Sequence, residues 1–490
     1  VYFAYRRATS GELDDPSTLC LFEKSSRIGG RTYSVTAERL NTEFVLDVGA
    51  YRFSPDMHLP GDLIVNDLKL PTACYEPGCP PAYEDFPPPF LFNYTAPLRR
   101  IVDPATGFPA GYATAINAMV AVLEAKGVQI YRSTELVDLS PAGLSPGRFE
   151  SVLTFKSTAG GADEEHVVET AGTIFLNLPR NHLLSLPSVV SSLETRTKAM
   201  AECVVFDQPE SIFGPGMSTE PTSALTKAYY YYPDAWWVTK LNRTAGEFPD
   251  NAFFPVGPYT DEGIYIGVHF NDGPTANKDE VGPCTYPADA KACHGFLEAY
   301  YAVTNETFFS GLNPTHADEP YAQVWRTDGD EAAAALDTAH AALVEALVEG
   351  GVLAAHGVSP DELVAPESLV VGVWGRPDDE NPFGKGYTAP TKVYYAPDMS
   401  GTVDVACGVD GLTDEEYAST LLQPFKSTAP SIFLGNNDFV SQNVYYMFGD
   451  WAEETLLQTE RALHVLGVPR PDWLDQAYYS IFVEGETGVI

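Results

Sequence analysis

The residues best spaced for chemistry lie in one short segment, Leu21-Phe22-Glu23-Lys24-Ser25-Ser26-Arg27-Ile28-Gly29-Gly30-Arg31-Thr32. An acidic side chain that ends a strand can accept hydrogen bonds from both ribose hydroxyls of an adenine dinucleotide. Two consecutive glycines let the backbone come close to a pyrophosphate, and Arg27 and Arg31 can neutralise its charge. Gly-Gly-Arg alone describes an ordinary turn. In register with Glu23 it describes a dinucleotide site.

The elements around this segment must hold it in place. Val1 to Arg7 reads as a helix without a visible cap. Leu19–Phe22 is a short apolar run, expected to be a strand covered on both faces with Cys20 in the core. A glycine turn follows, then a strand ending Leu46-Asp47-Val48-Gly49. Glu76 to Phe90 is rich in proline and reads as an extended loop. From Gly111 the apolar residues Ile116, Met119, Val120 and Leu123 recur with helical spacing, Gly127 supplies a stop, and Val128–Tyr131 reads as the next strand. Thr173 to Leu178 is a further buried strand, closed by Pro179. Tyr229-Tyr230-Tyr231-Tyr232 and Trp236-Trp237 read as strands of a mixed sheet, packed within it or lining a substrate pocket. A helix over 331–348, a strand over Ser431–Leu434 and a helix from Ala452 to Leu466 complete the pattern.

Composition narrows the function. The 490 residues hold 29 Lys plus Arg against 67 Asp plus Glu, a net charge of −38, with 44% hydrophobic residues. At roughly 100–200 residues per domain the chain is long enough for at least two domains. So acidic a surface is repelled by nucleic acid and by anionic lipid. No transmembrane segment is expected, because the longest apolar stretch, Ala332 to Ala355, is interrupted by Asp337, His340, Glu345 and Glu349. Of the seven cysteines, Cys74 and Cys79 flank a Pro-Gly turn, and Cys284 and Cys293 bracket another short loop. Both pairs are disulfide candidates, with separate free thiols as the alternative, and neither has the partners of a zinc site. Asn93, Asn242 and Asn305 head glycosylation sequons. Together these favour secretion or an organelle lumen. No metal site is expected, and no Gly-x-Ser-x-Gly, His-Glu-x-x-His or phosphate loop supports a hydrolase.

With these residues in view, the chain resembles the FAD-dependent amine oxidase family, closest to its L-amino-acid oxidase branch. Glu23, Gly29, Gly30 and Arg31 match the family's strand-end acid and Gly-Gly-Arg. Asp47-Val48-Gly49-Ala50-Tyr51-Arg52-Phe53 matches its next motif, in which the arginine clamps the substrate carboxylate; Arg52 is the implied counterpart, with a surface ion pair as the alternative. Gly107 to Tyr112 looks like its glycine-rich helix start, and Val137 like the valine whose backbone meets the adenine side of FAD. Trp374 and Tyr387 fall where the family lines the flavin and substrate, and Phe433-Leu434-Gly435-Asn436 and Trp451 resemble its closing FAD motif. The implied fold is α/β: a discontinuous Rossmann-like FAD-binding domain over 1–54, 108–200 and 426–468, and an α+β substrate domain with a mixed sheet over 55–107 and 201–425. Residues 469–490 are expected to form a tail. The resemblance also implies that the Gly-x-Gly-x-x-Gly fingerprint, its strand and any targeting segment precede Val1.

The resemblance implies oxidation of an amino acid or amine to the imine, with release of hydrogen peroxide. Two substitutions point elsewhere. Asn436 stands where the family has a glutamate, and Met217 stands where amino-acid oxidases have a lysine that holds a water near the flavin. Methionine has no proton to offer there. The alternative function is therefore a catalytically silent subunit of the same fold, structural or assembly-related, with protein partners and with or without flavin.

Overall fold

The computed structural model describes residues 1–36, 45–53, 57–74, 98–105, 107, 109–141, 151–157, 165–170, 172–178, 180–195, 197–198, 224–241, 246–247, 269–270, 294–304, 322–326, 330–374, 419–436 and 452–485. It is a mixed α/β chain with several small sheets and one larger one.

Strand β1 (Cys20–Phe22), hairpin strands β2 (Ser34–Val35) and β3 (Leu46–Asp47), and the ribbon β4 (Thr72–Cys74) with β5 (Arg99–Ile101) come first. Helix α1 (Tyr2–Thr9) precedes them, and α2 (His58–Asp62) lies between β3 and β4. Helix α3 (Ala113–Ala125) then leads to β6 (Gln129–Tyr131), which pairs with β1 in parallel. A parallel pair needs such a crossover, and the helical spacing of Met119, Val120 and Leu123 supplies its buried face. A three-stranded antiparallel sheet of β7 (Thr134–Pro141), β8 (Ser151–Ser157) and β9 (Glu165–Thr170) follows. Strand β10 (Ile174–Leu176) pairs in parallel with β17 (Ile432–Leu434), far away in sequence.

Strand β1 departs from its sequence reading. Leu21 packs toward α1 and α3, but Phe22 is 37% exposed and Cys20 is an exposed free thiol. Side chains alternate along a strand, so an apolar run of three can bury one residue and leave its neighbours outside. Phe22 instead stacks between the rings of Tyr131 and Phe155.

The larger sheet contains β11 (Ala224–Tyr232), β12 (Gly246–Glu247), β13 (His269–Phe270), β14 (Gly295–Thr304), β15 (Ala322–Arg326) and β16 (Ser368–Trp374), in the order β12-β13-β14-β11-β16-β15. Its described ladders are all antiparallel, not mixed as expected. Alternation in β11 explains its two faces. Ala228, Tyr230 and Tyr232 join the core beneath α5 (Asp330–Glu349), where the Tyr230 hydroxyl donates to the Ala339 carbonyl at 2.9 Å. Lys227 and Tyr229 point to the opposite face, toward Asp47 and Gly49. Trp236 and Trp237 are not in a strand: they open the short helix α4 (Trp236–Thr239). Pro233-Asp234 turns the chain there, and Asp234 binds the Trp236 amide through its carbonyl and the Thr239 hydroxyl through its carboxylate.

Helix α6 (Ala452–Val465) ties the two ends of the described chain together. Glu460, fully buried, accepts from Arg6 Nε at 2.7 Å and from the Tyr2 hydroxyl at 2.6 Å. The expected tail holds helix α7 (Gln476–Phe482), whose Tyr478 and Tyr479 pack with Leu457 and Leu59. No helix among the described residues is long and apolar enough to cross a membrane.

Glu453, at the start of α6, accepts from the Leu59 amide at 3.0 Å and from the Tyr478 hydroxyl. Burial pushes its carboxyl from the ordinary 4.5 up to about 7, against the pull of those hydrogen bonds and of His58. A raised carboxyl keeps its proton in the folded chain after the unfolded chain has lost it. Its stabilisation is complete below pH 4.5 and is lost as the pH rises through about 7. Calorimetric melting at a series of pH values should show stability falling across that interval, and Glu453→Gln should flatten the slope.

Candidate functional site

Glu23 continues the pairing of β1 with β6: its amide donates to the Tyr131 carbonyl and its carbonyl accepts from the Thr134 amide, both at 2.8 Å. Its half-buried carboxylate receives the Ser25 amide on Oε1 at 2.8 Å. The glycine turn begins six residues on. Gly29 has φ +128°, and a Cβ there would lie 2.7 Å from the Thr32 carbonyl oxygen, so both conformation and space require glycine. Arg27 serves this turn directly. Its guanidinium donates to the Gly30 carbonyl at 2.6 Å and the Thr32 carbonyl at 3.3 Å, and lies 3.9 Å from the centre of the Tyr33 ring. These contacts give Arg27 a part in shaping the loop.

Arg31 reaches across the fold. Its Nη2 donates to Asn436 Oδ1 at 3.0 Å, and Asn436 Nδ2 donates to Asn177 Oδ1 at 3.0 Å. Asn177 follows β10 and Asn436 follows β17, so the Gly-Gly-Arg turn meets the C-terminal ends of that parallel pair. Gly435 makes the approach possible, because a Cβ there would fall 1.8 Å from the Phe175 ring. Arg31, Gly435 and Asn436, chosen from distant stretches of sequence, are therefore neighbours.

A second node centres on Asp47. Its carboxylate accepts the Tyr112 amide at 3.0 and 3.1 Å and the Ser34 hydroxyl, while Ser34 Oγ accepts the Ala113 amide at 3.1 Å. Together they satisfy amides at the start of α3, where a negative charge is favourable. Burial pushes the Asp47 carboxyl up to about 6, opposed by these hydrogen bonds and by the charges of Lys227 and Arg100. The Asp47 carbonyl faces the large sheet, with the Tyr229 hydroxyl at 2.9 Å and Lys227 Nζ at 3.5 Å. Lys227 Nζ also donates to the Gly49 carbonyl at 2.6 Å and lies 3.6 Å from the Tyr51 ring centre. Arg52, the expected carboxylate clamp, is half-buried with its guanidinium 4.7 Å from the same ring. Tyr229 and Glu298 face each other across β11 and β14, hydroxyl to Oε1 at 2.7 Å.

Tyr229 belongs to the aromatic run noted in the sequence, whereas Lys227 and Glu298 were not singled out there. The available signal was a lone charge inside an apolar strand: Lys227 within Ala224–Tyr232 and Glu298 within Gly295–Thr304, each 1% exposed.

The remaining predicted positions divide simply. Val137 is half-buried and is the extra residue of a bulge in β7, where the register shifts between Leu136 and Asp138, so the ladder to β8 skips it. Trp374 ends β16 opposite Leu225. Cys74 is disulfide-bonded. Met217, Tyr387, Trp451, Cys79, Cys284, Cys293, Asn93, Asn242 and Asn305 lie outside the described residues.

No protein-family model matches this chain, and no curated protein matches it. Among solved structures, a flavoprotein/dehydrogenase from Cytophaga hutchinsonii is similar over 100% of this chain and 87% of its own length, at 12% sequence identity and a TM-score of 0.31. A likeness of that size bears neither on fold nor on function.

Removing the Asp47 carboxylate leaves the α3 amides without their acceptor. Asp47→Ala should lower the unfolding free energy by about 2 kcal/mol, and Asp47→Asn by less, because the amide oxygen still accepts. Urea titration of the two variants measures both.

Proposed function

We propose that this chain is a flavin-dependent oxidoreductase that oxidises an amino acid or amine to the imine and releases hydrogen peroxide. The observation that carries the reading is the meeting of the Gly29-Gly30-Arg31 turn with Gly435-Asn436 and Asn177 at the C-terminal ends of parallel strands. Dinucleotides are held at such strand ends in open α/β sheets. The residues there suit FAD. Glu23 has its second carboxylate oxygen left for a ribose hydroxyl, and a Cβ at Gly30 would meet nothing within 4 Å, so the turn's backbone is accessible on that side. Arg31, the Val137 backbone and Asn436 complete the set that would hold the cofactor. The proposed flavin domain spans 1–54, 108–200 and 426–468, and the substrate domain 55–107 and 201–425. The disulfide at Cys74 supports a secreted or lumenal location.

When bound, the flavin supplies the hydride acceptor, and its chemistry is its own. The chain's part is to orient the substrate. Arg52 holds a carboxylate by charge-assisted hydrogen bonds, Tyr51 and Tyr229 furnish aromatic surface, and their burial excludes water. One observation favours the silent alternative, a structural or assembly subunit with protein partners: Arg31 and Asn436 are already bonded to each other.

Visible absorbance of the purified protein separates the two. Flavin bands that bleach anaerobically on adding amino acids support the oxidase; a colourless protein that stays colourless with added FAD overturns it. Arg52→Met should raise the amino-acid concentration for half-bleaching about tenfold or more. An amine lacking the carboxylate should be unaffected by that change.

A further inference from the structure

Glu298 is a buried carboxylate with only half of its hydrogen-bonding capacity used. Oε1 lies 2.7 Å from the Tyr229 hydroxyl, whereas Oε2 is buried and has no partner among the described residues. Tyr229 has one proton for two acceptors, Glu298 Oε1 and the Asp47 carbonyl. If the proton goes to Glu298, the carboxylate keeps its charge, and Lys227 remains near the Asp47 carbonyl. If it goes to Asp47, Glu298 must be protonated and donate to Tyr229 through Oε1. In both arrangements Oε2 is an acceptor with no donor, a costly state for a buried oxygen.

The register puts Glu298 on the face of the sheet that meets Asp47. A bulge leaves Ala299 without a ladder partner and brings Glu298 opposite Tyr229, on the face of β11 that carries Lys227. Tyr229 and Lys227 both reach the Asp47 carbonyl, and Lys227 and Arg52 both contact the Tyr51 ring. An acceptor on this face, linked through Tyr229, Asp47, Lys227 and Tyr51 to the arginine proposed to clamp a carboxylate, has the chemistry to take the ammonium of an amino acid.

We propose that Glu298 is the amine receptor of this site, its Oε2 accepting a hydrogen bond from the substrate's ammonium while Oε1 stays with Tyr229. The assignment rests on the amino-acid or amine reading above and narrows it to substrates bearing a protonated amine.

Calorimetric titration with two probes tests this. One is α-methylphenylalanine, which has no Cα–H and cannot be oxidised at that carbon. The other is 2-methyl-3-phenylpropionate, the same acid with hydrogen in place of the ammonium. The wild-type protein should prefer the amino acid by about tenfold or more. Glu298→Gln, which still accepts from Tyr229, should abolish that preference and leave the affinity for the plain acid unchanged. If the Gln variant does not fold, Glu298→Asp, shorter by one methylene, should cut the preference severalfold. A preference that survives these substitutions, or wild-type protein that binds both probes equally, overturns the role of Glu298 and leaves the carboxylate-binding reading standing. Wild-type protein that binds neither probe overturns the amino-acid reading and the inference with it.

Discussion

The Asp47 carboxylate sits at the start of α3 while its carbonyl oxygen receives Tyr229 and Lys227 from the antiparallel sheet. One residue thus joins three parts of the chain that have no contact in sequence: the β2–β3 hairpin, the crossover helix and the large sheet. Its carboxylate and its carbonyl serve different neighbours, the start of α3 and the large sheet. Burial raises the carboxyl to about 6, so the cost of desolvating this charge is part of the design. What offsets it is the Tyr112 amide at the start of the helix, the Ser34 hydroxyl from β2, and the charges of Lys227 and Arg100. The placement of Tyr51 and Arg52 follows from this anchor, a few residues along the same strand exit.

Close backbone approach is the second constraint. Gly49 stands where a Cβ would lie 1.9 Å from the Arg31 carbonyl oxygen, and the Ala50 amide donates to that same oxygen at 3.1 Å. Gly435 faces the Phe175 ring in the same way, and Phe175 in turn stacks on Phe3 of α1 at 4.3 Å. These contacts bring Arg31 within reach of Asn436. The guanidinium then does locally what no surface ion pair would do: it joins two strand ends and a loop through hydrogen bonds partly shielded from water.

Much of the local structure was legible in the residues. The period of Met119, Val120 and Leu123 described α3, Gly127 its stop, and the Ala-rich stretch α5. The apolar run within Thr173 to Leu178, closed by Pro179, was recognisable as a buried strand, and Ile174 and Leu176 are covered. Cys20 and Trp236-Trp237 were not legible, for separate reasons. An apolar run of three does not say which face meets the core, and a Pro-Asp turn can convert an aromatic stretch from strand to helix within two residues.

The sequence by itself determined the types of residue at the site, the positive-φ glycine turn and the elements that flank it, since those depend on local backbone preference and short-range periodicity. Tertiary structure decided which side chains meet. Arg27 turned inward to its own loop, Arg31 crossed to Asn436, and Lys227 with Glu298 entered the site from a sheet more than a hundred residues away in sequence. Strand pairing and burial are collective: whether a charged residue in a strand faces a helix core or a polar cluster is set by its register, and register depends on the partner strand as much as on the residue itself.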